Sequence, residues 1–199
     1  MNPLEQPVLV ASPYRLRPFT AADVPVVQEA SSDPLIPAIT TVPASGSRQA
    51  ALTFIERQHQ RLIDGTGYSF AIADSSSDQA VGQIGLWLKN LSQGRASVGY
   101  WVAPSHRGKG AASSALGALA TWGLAQPGIH RLELYVEPWN EGSWRTAERS
   151  GFSREGTMRS WLEIGGQRKD MYMYSRLPAR WEPATRTSLL CSDFSVPLP

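Results

Sequence analysis

"ASVGYWVAPSHRGKGAASSALGALA", residues 96–120, changes its periodicity partway along. Ala96, Val98, Tyr100 and Val102 alternate with Ser97, Gly99 and Trp101, the two-residue period of a strand. From Gly110 onward Leu116, Leu119, Ala120, Gly123 and Leu124 recur at helical spacing, until Gln126-Pro127-Gly128 stops the run. Between the two lies HRGKGAAS, residues 106–113. A surface turn needs one glycine. Here two glycines, two cations and a run of small residues stand at a strand-to-helix junction, as a loop requires when its backbone must approach something closely. Gly108 and Gly110 lack Cβ and can take conformations barred to other residues. The helix they open into begins with unpaired N–H groups at the positive end of its dipole, a ready place for phosphate. Arg107 and Lys109 add full charges, and Ala111, Ala112 and Ser113 leave the approach uncluttered. A glycine-rich turn with only helix-capping duties is the competing interpretation of the loop by itself.

Two familiar phosphate loops do not fit. A P-loop needs Gly at 103 and Ser or Thr after Lys109, where the chain has Ala103 and Gly110. The dinucleotide fingerprint is met by Gly108 and Gly110 but only weakly by Ser113, and the strands upstream do not form a βαβ unit.

Upstream, Tyr14–Phe19 reads as a first strand, and Thr20 with Asp23 forms a capping box for a helix over about 21–30. A segment with three prolines, SSDPLIPAITTVPASGS, reads as a loop. Ser47 caps a second helix whose apolar stripe is Leu52, Ile55, His59, Leu62 and Ile63, with Gly65 as its stop. Tyr68–Asp74 and Val81–Leu88 are strands joined by SSSDQ. Downstream, RLELYVE places Leu132, Leu134 and Val136 on one face, and a short helix over about 141–150 closes at Gly151. Phe152–Thr157 and Lys169–Ser175 are final strands. The order predicts a mixed α/β (α+β) domain over residues 1–178, followed by a Pro-rich polar tail, 179–199.

Bulk properties exclude several classes. The chain of 199 residues is long enough for a substantial core, and 42% apolar with 18% charged residues is ordinary for a globular protein. A net charge of +2, with Lys and Arg scattered, argues against nucleic acid and anionic membranes. No stretch approaches a membrane span, and MNPLEQPVLV lacks the basic region of a secretory signal, so a cytoplasmic setting is expected. The single Cys191 permits no internal disulfide or Cys-based zinc site, and His59, His106 and His130 show no metal spacing. Seven Trp suit a core, a dimer interface or an acceptor pocket.

Arg107, Gly110 and Ala112 form R-x-x-G-x-A between a strand and a helix. With the downstream RLELYVEPWNEGSWRTAERSGFSREGTMR, this resembles the GNAT N-acetyltransferases. The second stretch supplies N-x-x-S as Asn140 and Ser143, then G-F-x-x-E-G as Gly151, Phe152, Glu155 and Gly156. GGQRKDMYMYS, with Asp170, resembles the family's closing strand. The likeness covers residues 14–177 and points to the ribosomal-protein N-terminal acetyltransferase (RimJ/RimL) branch.

The resemblance implies a twisted, mostly antiparallel sheet of about six to seven strands, flanked by about four helices and splayed between the fourth and fifth predicted strands. It implies acetyl-CoA as donor cosubstrate, no metal, and a diphosphate held by Arg107, Gly108, Lys109, Gly110, Ala111, Ala112 and Ser113. The pantetheine arm would pair with backbone of Trp101, Val102 and Ala103, with the Val102 N–H stabilising the developing oxyanion. Gly99 and Pro104 suit broken strand pairing there, although Gly99 also suits a bulge. Asn140 would contact the cofactor arm or cap the helix, and Ser143 would donate to the thiol sulfur or cap. Glu133, Tyr135 and Glu137 project off the apolar face, and Glu137 and Glu163 are the candidate bases. Ser113-Ser114-Ala115 stands where that branch often has Thr-Glu-Ala, so acceptor contacts can differ. The acceptor would be a primary amine, on a protein N-terminus or a small molecule, bound by the first two helices, the 33–47 loop and the 164–168 hairpin. Direct transfer in a ternary complex and a homodimer are also implied. The alternatives are a non-catalytic acyl-CoA-binding module and a nucleotide-binding regulator.

Overall fold

The structure is a computed structural model and describes residues 5–178. The expected tail 179–199, with Cys191, lies outside the described residues.

Thirteen elements follow in chain order. They are β1 (Leu9–Ala11), β2 (Tyr14–Arg17), α1 (Val24–Ser31), α2 (Ile36–Ile39), α3 (Arg48–Ile63), β3 (Gly67–Asp74), β4 (Ala80–Trp87), β5 (Arg95–Val102), α4 (Ala111–Leu124), β6 (Arg131–Val136), α5 (Glu141–Arg149), β7 (Ser153–Ile164) and β8 (Gln167–Arg176). The strands form one sheet of eight in the order β1-β2-β3-β4-β5-β6-β8-β7. Every neighbouring pair is antiparallel except β5–β6. The mixed α/β architecture is therefore as expected, with one strand and one helix more than the sequence suggested. β1 is a three-residue hairpin arm on β2, and α2 is a single turn inside the three-proline segment.

Both faces of the sheet are covered. α4 and α5 pack on one face with Leu16, Phe70, Ile84, Leu86, Leu116, Leu119 and Leu132. On the other, α1 and α3 pack with Val27, Phe54, Ile55, Ala71 and Trp101. Double coverage explains why β3 and β4 are buried almost throughout.

The buried face of α3 is not the stripe read from the sequence. Ala51, Phe54, Ile55 and Gln58 face the sheet, His59 is exposed, and Ile63 is 75% exposed. The helix is rotated because Gln58 is a core residue. Its Nε2 donates to the Phe54 carbonyl at 2.8 Å, and its Oε1 accepts from Ser69 Oγ at 3.0 Å. Gln83 Nε2 donates to the same Ser69 Oγ at 2.7 Å. A satisfied polar network can occupy a core at little cost, and an apolar-stripe count cannot see it.

β5 and β6 pair over only three positions, Arg95↔Arg131, Ala96↔Leu132 and Ser97↔Glu133. Beyond these the strands part, which is the predicted splay. The β4 side of β5 stays regular through Gly85↔Gly99 to Gly82↔Val102, so Gly99 marks neither a bulge nor a break in that ladder. The open edge of β5 faces β6.

Candidate active site

The fork between β5 and β6 holds a cavity of about 360 Å³. Tyr100 and Trp101 from β5, Tyr135 from β6, and Glu137, Asn140 and Ser143 beyond it stand on the wall. The three-proline segment supplies Ile39, Thr40 and Thr41, α3 supplies Arg61, and the β7 end of the hairpin supplies Leu162 and Ile164. Three of the four segments expected to build the acceptor side therefore meet here, whereas α1 gives no wall residue.

Strand alternation decides which backbone groups face the fork. Ala103 N–H donates to the Val81 carbonyl at 2.9 Å, so Ala103 and Val81 form a hydrogen-bonded pair. The neighbouring pair Val102↔Gly82 is then of the non-hydrogen-bonded kind, and Val102 turns its N–H and C=O away from β4. Of the expected Trp101–Ala103 backbone, only the Val102 amide points toward the fork. The Trp101 side chain belongs to the core on the α3 side, 6.4 Å from Phe54 between ring centres.

The glycine loop follows directly. A short turn over Pro104–His106 leads to Arg107, then Gly108 at φ +76° and Gly110 at φ +82°. Any other residue at these left-handed positions costs roughly 1–2 kcal/mol. A Cβ at either glycine would meet nothing within 4 Å, so the loop fronts open space. Ser114 N–H makes the first helical bond, to the Gly110 carbonyl at 3.0 Å. The amides of Gly110, Ala111, Ala112 and Ser113 therefore have no intrahelical acceptor.

α1 fixes the loop from behind. Glu29 accepts from Ser105 N–H at 2.8 Å and Ser105 Oγ at 3.0 Å. Arg107 pairs with Asp33 at 2.8 Å while its Nε donates to the Val102 carbonyl at 3.1 Å. Burial raises the Asp33 pKa, but the Ile36 and Leu35 amides and Arg107 outweigh it and hold the carboxyl below its ordinary value. Arg107 is thus a strut between loop, strand and the segment just after α1. Lys109 Nζ donates to the Ser105 carbonyl at 3.2 Å, and Ser113 Oγ to the Gly110 carbonyl at 3.0 Å.

At the other prong, Asn140 caps α5 through Oδ1, which accepts from Ser143 N–H at 3.2 Å. Ser143 Oγ lies 2.9 Å from the Tyr100 hydroxyl, which also donates to the Ser143 carbonyl at 3.1 Å. Burial raises the Tyr100 pKa against the lowering pull of Ser143, Thr146 and Arg149, so the phenol stays protonated. Two hydroxyls thus meet across the fork. Sequence reading missed Tyr100, since alternation placed it only among apolar residues of the strand.

The carboxylates separate clearly. Glu133 is fully buried and ion-paired to Arg131 at 2.9 Å and Arg95 at 3.1 Å, with the Tyr135 hydroxyl donating at 3.0 Å. Burial pushes its pKa up, but those three donors together hold it below the usual range, which marks a structural anion. Glu163 pairs across the hairpin with Arg168 and is exposed. Its neighbours Leu162 and Ile164 line the cavity, so alternation turns Glu163 to the opposite face. Glu137 alone among the described carboxylates stands on the wall, with Oε2 accepting from Trp139 Nε1 at 2.8 Å. Asp170 accepts from Ser160 N–H at 2.7 Å, pinning an irregular turn of β7.

Trp87 was also missed. A Cβ on Gly85 would strike its ring at 2.3 Å, and one on Gly99 would lie 3.6 Å from its Nε1. The paired glycines are the bed on which this indole lies, a physical reason for Gly99 that neither sequence reading offered.

A fork in a sheet, an outward strand amide and a glycine loop opening a helix define a GNAT acyltransferase. The profile of the "Acetyltransferase (GNAT) domain" family matches residues 14–153, and the chain belongs to that family. It is 28% identical over 162 residues to an N-acetyltransferase called p20 from Bacillus licheniformis, covering 81% of this chain and 91% of that one. It is 27% identical over 138 residues to the [ribosomal protein uS5]-alanine N-acetyltransferase of Escherichia coli, 68% of this chain and 69% of that one. The structure of Mycobacterium smegmatis RimJ in complex with CoA-disulfide superposes with a TM-score of 0.72 at 22% identity, covering 87% and 86% of the two chains. Among the described residues no helix is long and apolar enough to cross a membrane.

Proposed function

We propose that this acyltransferase uses acetyl-CoA to acetylate a primary amine by direct transfer in a ternary complex. The observation that carries this reading is the continuity of the Val102 amide with the glycine loop: one run of backbone offers donors first to a carbonyl and then to a diphosphate. The RimJ relative's complex with CoA-disulfide agrees with that choice of ligand.

The residues fit the cosubstrate. The amides of Gly110–Ser113 and the open space before Gly108 and Gly110 would hold the diphosphate, with the helix dipole adding about 0.3–1 kcal/mol. Acetyl-CoA, when bound, supplies the thioester whose acetyl group is moved. The Val102 N–H would stabilise the oxygen on which negative charge develops, a kind of contact worth about 10²–10³ in rate. Ser143, 2.9 Å from the Tyr100 hydroxyl, would turn its proton to the departing sulfur and regain one from water, balancing the proton taken from the amine. Glu137 would take the amine proton directly or through water; an α-amino group, with a pKa of about 7.7–8.0, needs little help. Glu163 has no place in this reading, because it faces away from the cavity.

The uS5-alanine relative acts, by its name, on an alanine of a ribosomal protein, and a protein N-terminal amine is adopted here as acceptor class beside small amines. A cytoplasmic setting and pairing of two copies belong to the same reading. Thiol release from acetyl-CoA, followed over a panel of N-terminal peptides and small amines, tests it. Release with at least one acceptor, lost in Ser143→Ala with CoA affinity retained, supports transfer. Tight CoA binding without release by any acceptor would instead mark a non-catalytic module.

A further inference from the structure

Arg61 stands on the cavity wall at the last turn of α3, and its guanidinium lies 4.5 Å above the Trp87 ring. Its environment is unusual for a cation. Among the described residues no carboxylate pairs with it. Its Nε is buried without any hydrogen-bond partner, and its one side-chain bond, from Nη2 to Thr41 Oγ1, is long at 3.3 Å. Arg57 adds a second cation beside it, donating to the Thr41 carbonyl at 2.7 Å. Burial first, and the Arg57 charge second, push the Arg61 guanidinium below its ordinary pKa.

The carboxylates that might neutralise it are engaged elsewhere. Asp33 holds Arg107 and two backbone amides, Asp64 accepts from Gln60, and Glu137 accepts from Trp139. A half-buried guanidinium left short of an anion is costly unless a ligand supplies one. Its planar fork suits a carboxylate, and the indole beneath holds it in a fixed plane.

Resting on the transferase reading above, we infer that Arg61 is the specificity anchor of the acceptor site: the amine acetylated here also carries a carboxylate, which the Arg61 guanidinium binds at the α3 side of the cavity. The rest of the wall, with Ile39, Trp87, Leu162 and Ile164, selects an apolar body between the two charged ends. A polyamine is disfavoured, because its second cation would face Arg61. The carboxylate comes either from a free α-carboxyl or from an acidic side chain near a peptide N-terminus.

Matched acceptors test the inference without any mutation. L-phenylalanine is compared with L-phenylalaninamide, and an Ala-Asp peptide amide with its Ala-Asn counterpart, as acceptors for thiol release. The inference expects kcat/KM to be higher by about ten- to hundredfold for the acidic member of at least one pair. It expects Arg61→Met, which keeps stacking area on Trp87, to erase that preference while leaving the neutral member and CoA affinity within about twofold. Arg61→Lys should recover only part, since the bidentate fork is lost. The same pairs, titrated calorimetrically into CoA-loaded chain, read the preference whether or not turnover occurs, so failure of the transferase reading is distinguished from failure of this one. Equal use of acidic and neutral members would overturn the inference, as would a loss in Arg61→Met that falls equally on both or on CoA itself.

Discussion

The donor and acceptor sides proposed above are built on opposite plans. The proposed donor side is contiguous backbone: Val102 to Ser113 runs unbroken from strand through loop into α4 and offers main-chain amides. The proposed acceptor side is an assembly of side chains, drawn from Ile39, Thr40, Thr41, Arg61, Trp87, Leu162 and Ile164, the first and last more than a hundred residues apart in the chain. Backbone recognition depends on conformation, so glycine and small residues at fixed spacing are its requirement. Side-chain recognition places no such demand on local sequence. One end can stay constant across many acceptors while the other varies freely.

Substitutions at Gly110 should break the donor end with the largest effect. Gly110→Ala adds strain of about 1–2 kcal/mol from the left-handed backbone, with no atom within 4 Å to strike. Gly110→Trp adds the same strain and fills the open space before the helix. CoA affinity measured by calorimetry should fall by about hundredfold or more in the tryptophan variant, as several charge-assisted bonds are lost. The alanine variant should keep most of it. Equal affinities in the two variants would mean that the space is not where the ligand stands.

Next in size is the hydroxyl pair. Ser143→Ala should lower kcat by about 10²-fold, the low end for a positioned acid, with the KM for acetyl-CoA little changed. Tyr100→Phe leaves Ser143 in place and removes its support, so a loss of about tenfold is expected. The double variant should be no worse than Ser143→Ala, because groups acting as a unit are not additive. A Tyr100→Phe loss that adds in full to that of Ser143→Ala would show that the two hydroxyls work separately.

These contrasts parallel what could be read from the chain. β2 to β6, α4, α5 and the glycine loop were legible, because each imposes a period or a φ angle on its own residues, while the splay came only from the family resemblance. β7 and β8 were only half legible: their hairpin extends to Ile164 and Gln167, but the exposed strand Ser153–Ile164 lacks an apolar face to give it a period. The rotation of α3 was hidden because Gln58 counts as polar in any pattern while its bonds to Ser69 and Phe54 make it core. Tyr100, Trp87 and Arg61 were missed for a shared reason. Each draws its role from a residue remote in sequence: Ser143 for the first, the Gly85–Gly99 pair for the second, and Trp87 with Thr41 for the third.

The smallest expected effect lies outside both ends and serves as their control. Glu155 is held at a pKa of about 2 by hydrogen bonds from Arg131 and then Ser175. Its ordinary value is 4.5, so the folded form has the depressed pKa. The stabilisation is therefore fully present above about pH 4.5 and is lost as pH falls toward 2. The Glu155 side chain is 41% exposed, so solvent screening keeps the contribution to about 1 kcal/mol or less. Thermal unfolding of Glu155→Gln should show a shallower loss of Tm over that acid range, with the same CoA affinity at neutral pH. An unchanged acid profile would assign the pairing no energetic weight.

Amide hydrogen exchange with and without CoA tests the donor end most directly. The account predicts slowed exchange at Val102 and across Gly108–Ser113 on adding CoA, with the Thr40–Thr41 segment unchanged until an acceptor is present. Protection confined to 39–41 and the β7–β8 hairpin, or no protection anywhere despite saturating CoA, would contradict it.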